Sequence, residues 1–289
     1  MPRTKPATVP PRRCIFCGEG GTQGNIMTEE HYWSTWIDEL LPKDLKPEYI
    51  EFRAKITAKG AALAGLPLSR TRQGASNTRR FRVVCRRCNN TWMSGMDTAV
   101  IPHLTPLILG QPATLDEEAQ RTVAKWVTMK MLVIENSSSM GSAPDPIFGP
   151  EVRKAFMDHR SIPAYVTIHL APCAGPEWPK RVQRYASALT SNRTAYWDGR
   201  IKNTQSLTWG IGRLLVQVDA TTQGDVAPFF ARHPEHFIMS QLWPLRGGPM
   251  AWPTKPPVSD RDADSIARAL NDMIRTPLVR LPPGAPNWA

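Results

Sequence analysis

The chain has 289 residues, of which 41 % are hydrophobic, and a formal net charge of +11 from 36 Lys+Arg and 25 Asp+Glu. That apolar content suffices for a buried core, and no apolar run reaches the length of about 20 residues that a membrane-spanning helix needs. The 28 prolines and 19 glycines predict many turns and loops.

Residues 1–13 are basic and proline-rich, with no apolar stretch behind them. They predict a disordered arm, not a signal peptide, and therefore a cytoplasmic protein with reduced thiols. Residues 14–110 hold both CxxC pairs and most of the excess charge. Residues 1–100 carry 16 Lys/Arg against 9 Asp/Glu, and residues 101–289 carry 20 against 16. From Phe52 to Met96 there are ten basic residues and no acid. Such a stretch favours a polyanion, nucleic acid being the usual one, although a solvated basic surface is the plain alternative.

Within this module Cys14-Ile15-Phe16-Cys17-Gly18 reads as a metal-binding knuckle. After Thr28-Glu29-Glu30-His31, residues Trp33, Trp36, Ile37, Leu40 and Leu41 fall on one helix face that Pro42 limits. Residues 43–80 are polar, basic and poorly periodic, and read as an insertion. Phe81–Val84 predicts a short strand entering the second CxxC. A helix is expected from near Arg86, lined by Trp92, Met96, Ala99 and Val100 and ending at Pro102. Residues 111–289 predict a separate α+β domain with a mainly antiparallel sheet. It has a helix from Asp116 to about Glu135, a short helix over 151–160 and strands over 164–170, 182–189, 207–211, 214–218 and 237–242. A closing helix is expected over 262–273.

Cys14, Cys17, Cys85 and Cys88 carry the strongest chemical signal. Two CxxC pairs supply the four thiolates of a closed tetrahedral zinc site, and 67 residues separate the pairs. Cys173 has no partner spacing and reads as buried or in a loop. The four-cysteine frame would bring Glu30-His31 towards Asn89, which follows Cys88 directly. An acid, an imidazole and an amide can together hold a divalent ion through oxygen and place a base near water. The plain alternatives are a helix-start histidine for His31 and a helix cap for Asn89. Asp97 is expected in a surface ion pair.

This pattern resembles the HNH, or ββα-metal, endonucleases, and within them most closely the phage recombination endonuclease VII group. The resemblance also extends to bacterial and phage HNH-like proteins with CxxCN and a following tryptophan. It rests on Cys14, Cys17, Glu30, His31, Cys85, Cys88 and Asn89 and covers about residues 14–100. It implies a small zinc-stapled ββα-metal module, with His31 as general base and Glu30 and Asn89 as ligands of a catalytic magnesium or manganese ion. The implied activity is metal-dependent hydrolysis of DNA phosphodiester bonds. Charge, not the family, assigns Arg79, Arg80, Arg82, Arg86 and Arg87 to phosphate contacts. Glutamate stands at position 30 where the family more often has aspartate, and Asn89 stands where many members carry a second metal-binding histidine. The competing reading is a non-catalytic zinc-bearing module that binds nucleic acid or protein.

Overall fold

Helix α4 (Glu117–Glu135) is the centre of the molecule. Asp116 caps it by accepting a hydrogen bond from Ala119 N at 2.8 Å, and Glu117 and Glu118 complement its N-terminal dipole. From Trp126 to Glu135 every side chain is buried, so the helix is packed on all sides. The structure, a computed structural model, describes residues 13–21, 24–31, 34–42, 48–53, 55–56, 62–63, 80–136, 146–187, 203–222 and 237–275. For His31, residues 48–53, 55–56, 62–63, 80–81, 186–187 and 271–275 it describes the backbone alone. The predicted arm, Trp33, Arg79 and most of the predicted insertion lie outside the described residues.

The fold is mixed α+β with antiparallel sheets. The larger sheet uses β2 (Glu48–Arg53), β7 (Val166–Pro172), β8 (Arg181–Ser187), β9 (Thr204–Ile211), β10 (Leu214–Thr221) and β11 (Ser240–Trp243) in the order β11-β7-β10-β9-β8-β2. All its neighbours are antiparallel except β2 and β8. Alternation along β9 and β10 places Leu207, Trp209, Val216 and Val218 on one face. There Trp209 meets Trp126 of α4 edge-on at 6.2 Å. The opposite face holds Leu215 and Ala171 against α6 (Asp260–Arg275), whose Ala263, Ile266 and Ala267 recur at helical spacing. Both faces are therefore covered, which explains why every residue of β9 and β10 is buried.

A second sheet pairs β1 (Met27–His31) with β5 (Arg80–Cys85), and a bulge shifts the register between Thr28 and Glu30. The chain leaves β5 into α2 (Arg86–Cys88), passes through a π turn over Asn89–Met93, and continues as α3 (Ser94–Ile108). Helix α1 (Thr35–Leu40) contributes the buried Ile37. The expected end at Pro102 is corrected: α3 runs through Pro102 and Pro106 to Ile108. Val100, Leu104, Leu107 and Ile108 are essentially inaccessible. Burying them outweighs the hydrogen bonds the prolines cannot donate.

Two features join the parts expected on either side of residue 110. Strand β2, from the stretch read as an insertion, adds a parallel edge to the large sheet. The two-residue turn Gly212-Arg213 between β9 and β10 sits on the end of α3, where Arg213 N donates to Ile108 O at 2.8 Å. Gly212 has φ +58, and a Cβ there would press on that same Ile108 carbonyl. One core cluster holds Cys14, Ile37 and Val100 together with Val133, Trp209 and Leu242. Among the described residues no helix is long and apolar enough to cross a membrane.

Candidate functional site

The knuckle is a tight turn. Gly18 N donates to Cys14 O at 3.0 Å, Cys14 N donates to Glu19 O at 2.8 Å, and Gly18 takes φ +69. It docks on β5 through Ile15 N to Val83 O at 2.9 Å. The second pair sits at the strand-to-helix junction, with Cys85 closing β5 and Cys88 closing α2. The four Sγ atoms all lie within 4.8 Å of one another, and Cys17 and Cys85 are 3.6 Å apart. A sulfur tetrahedron around zinc, with bonds of about 2.3 Å, has edges of about 3.8 Å, so the four thiols could hold one such ion. The side-chain hydrogen bond with Cys88 pulls the Cys14 thiol down to about 5, against the effect of burial. The same hydrogen bond pushes Cys88 strongly up, and burial raises Cys17. The thiols thus interact closely with one another, and a bound metal ion would replace those contacts.

Helix α5 (Pro150–His159) backs this cluster. Arg153 Nε donates to Ile15 O at 3.0 Å, and its Nη1 donates to Phe148 O. Met157 Sδ lies 3.9 Å from Cys88 Sγ, and the Arg160 guanidinium stacks 4.2 Å from the centre of the Trp92 ring. Phe16 meets the same ring edge-on at 4.8 Å. Cys173 is buried in a separate core cluster beneath α6, and burial raises its thiol.

Beside the cluster, β1, α1 and the π turn enclose a cleft of about 420 Å³. Glu29, Glu30, Ser34, Asn89, Asn90 and Asp97 are among its walls, and among the described residues no basic side chain lines it. Glu30 is only 6 % exposed and lies in β1, opposite Phe81. Its Oε1 accepts from Lys130 Nζ of α4 at 2.8 Å, in an ion pair whose side chains are 8 % and 3 % exposed. One of its two oxygens is thereby engaged. Asn89 donates through Nδ2 to Thr28 Oγ1 at 3.2 Å, and Thr28 Oγ1 donates to Val84 O. The π turn, closed by Ser94 N to Asn89 O, widens the helix where Asn89 and Asn90 face the cleft.

Asp97 is not in the expected surface pair. Its Oδ1 accepts from Ser34 Oγ at 2.5 Å and Trp126 Nε1 at 2.7 Å, and lies 3.8 Å from Lys130 Nζ. Burial works against the Lys130 ammonium, but Glu30 and Asp97 outweigh it and raise its pKa. The sequence signal for this network was a lysine inside the apolar run Trp126–Ile134, where a cation is tolerated only with a partner.

Glu30 and Asn89 therefore meet on one cleft. His31 is the last residue of β1 and pairs with Arg80, and its side chain lies outside the described residues, as does that of Arg80. Of the remaining arginines, Arg82 pairs with Glu29 at 2.9 Å and Arg87 with Glu19 at 2.7 Å. Arg86 is exposed at the start of α2, with its N–H on Ile26 O at 2.8 Å. Comparison with known protein families, curated proteins and solved structures found no match.

Proposed function

We propose that the chain is a metal-dependent endonuclease that hydrolyses DNA phosphodiester bonds, built on a structural zinc ion held by Cys14, Cys17, Cys85 and Cys88. The supporting observation is that Glu30 and Asn89, far apart in sequence, line one acidic cleft next to the four-thiol cluster. The antiparallel β1–β5 pair, which leads directly into α2–α3, supports the reading as an HNH-type nuclease.

The donor set suits a hard cation such as magnesium or manganese. The outer oxygen of Glu30 and the carbonyl oxygen of Asn89 have no protein partner among the described residues, and both residues line the cleft. When bound, such an ion supplies charge stabilisation for the leaving oxygen of an in-line displacement. His31 accepts the proton of the attacking water. Arg82, Arg86 and Arg87 offer charge to the flanking phosphates, and exchange their surface carboxylate partners for them.

The test is nicking of supercoiled DNA by zinc-loaded protein with magnesium or manganese, with RNA and branched DNA alongside. His31→Ala should abolish cutting while zinc content and unfolding stay as in the parent. Absence of cutting on every substrate would remove the enzymatic reading. The buried Glu30–Lys130 pair specifically favours a second reading, in which Glu30 is structural and the module binds nucleic acid or protein without cleaving it. That reading gains if salt-sensitive DNA binding persists without any cleavage.

A further inference from the structure

Lys130 belongs to α4, 100 residues beyond Glu30, yet its ammonium contacts two of the carboxylates that line the cleft. It touches Glu30 Oε1 at 2.8 Å and lies 3.8 Å from Asp97 Oδ1. Ser34 and Trp126 fix that same Asp97 oxygen. The second oxygens of Glu30 and Asp97 have no protein partner among the described residues, and both residues line the cleft.

Glu30 is buried and Asp97 partly exposed, and the same ammonium faces an oxygen of each. Lys130 is buried on α4, so this cation is a fixed part of the fold. With it the three groups carry a net charge of −1, and without it −2. A divalent ion is held weakly by a site of charge −1 and two amides, and gains when a phosphate adds anionic oxygens. We propose that Lys130 is a positioning residue acting as a standing counter-cation. It holds Glu30 and Asp97 oriented before any metal arrives, and it makes retention of the divalent ion depend on the phosphate of the substrate. This rests on the divalent-ion site proposed above, but not on cleavage itself.

The experiment is a manganese titration of the zinc-loaded full chain, followed by electron paramagnetic resonance, with and without a short DNA duplex. The parent should bind manganese weakly alone and at least about tenfold more tightly with DNA. Lys130→Met should bind manganese without DNA at least about tenfold more tightly than the parent, although its unfolding midpoint falls. Lys130→Arg should restore the parental pattern. A lysine with only a packing role would lower stability and leave manganese affinity unchanged or reduced. Unchanged or weaker binding by folded Lys130→Met overturns the proposal. So does parental binding that is equally tight with and without DNA, a measurement that decides even if Lys130→Met does not fold. Binding of manganese to none of the proteins overturns it as well. The expected manganese pattern without DNA cleavage would reject the nuclease and leave the counter-cation standing.

Discussion

Replacing Glu30 by alanine should damage folding as well as any chemistry. The substitution leaves the Lys130 ammonium, whose side chain is 3 % exposed, without its 2.8 Å partner. Truncating one member of a buried ion pair costs about 3–5 kcal/mol, mostly the penalty of the stranded charge. Asp97 at 3.8 Å remains as a partial partner, which puts the expectation at the lower end, about 3 kcal/mol. That is a large share of the about 5–15 kcal/mol by which a domain is stable. With a urea dependence of about 3 kcal/mol per molar, the unfolding midpoint should fall by about 1 M. Glu30→Met combined with Lys130→Met should recover most of the loss, because neither charge is then left buried alone. The double-mutant cycle should show a coupling of at least about 2 kcal/mol. A Glu30→Ala protein within about 1 kcal/mol of the parent, or strictly additive single and double variants, would refute the buried-pair reasoning. Any loss of cutting in a Glu30 variant has meaning only when read beside its stability.

Serine at Cys88, or removal of metal by a chelator, should release one ion per chain by elemental analysis. It should lower the thermal midpoint by more than about 10 °C, and an unchanged midpoint would count against a structural metal. Glu135 is 1 % exposed, and burial pushes its carboxyl up to about 8 against the pull of Arg184 and the Ile147 N–H. A raised carboxyl stabilises the folded chain fully below about 4.5 and loses that contribution as pH rises to about 8. Glu135→Gln should therefore reduce the fall of unfolding free energy across that window by up to about 1.4 kcal/mol per pH unit, and an unaltered slope would exclude the shift. Arg82→Ala and Arg87→Ala should each lower the slope of log affinity for DNA against log salt by about 0.9, whereas an unchanged slope would confine these residues to their pairs with Glu29 and Glu19.

The readable features of the sequence were those with a local signature. Two CxxC pairs announced a thiol cluster before any fold was known, and the four sulfurs converge. Asp116 marked the start of α4 through its capping side chain. Alternation exposed β9 and β10, although both extend beyond the expected limits because their polar residues are buried too. What escaped depends on partners distant in sequence. The stretch Glu48–Arg53 shows no face of its own until it lies beside β8, so it read as part of an insertion. Pro102 looked like a stop because the packing that carries α3 past it comes from elsewhere in the chain. Asp97 looked like a surface acid because Trp126 and Lys130, which bury it, belong to the part assigned to another domain.

The placement of Lys130 on α4 also has a consequence in time. A ribosome adding about 5–20 residues per second needs roughly 5–20 s to travel from Glu30 to Lys130. Throughout that interval Glu30 is without its counter-charge, and the face of α3 bearing Val100, Leu104 and Leu107, once made, still waits for α4. The N-terminal third is synthesised before these partners exist. The cleft becomes whole only when the helix that stands behind it has been made.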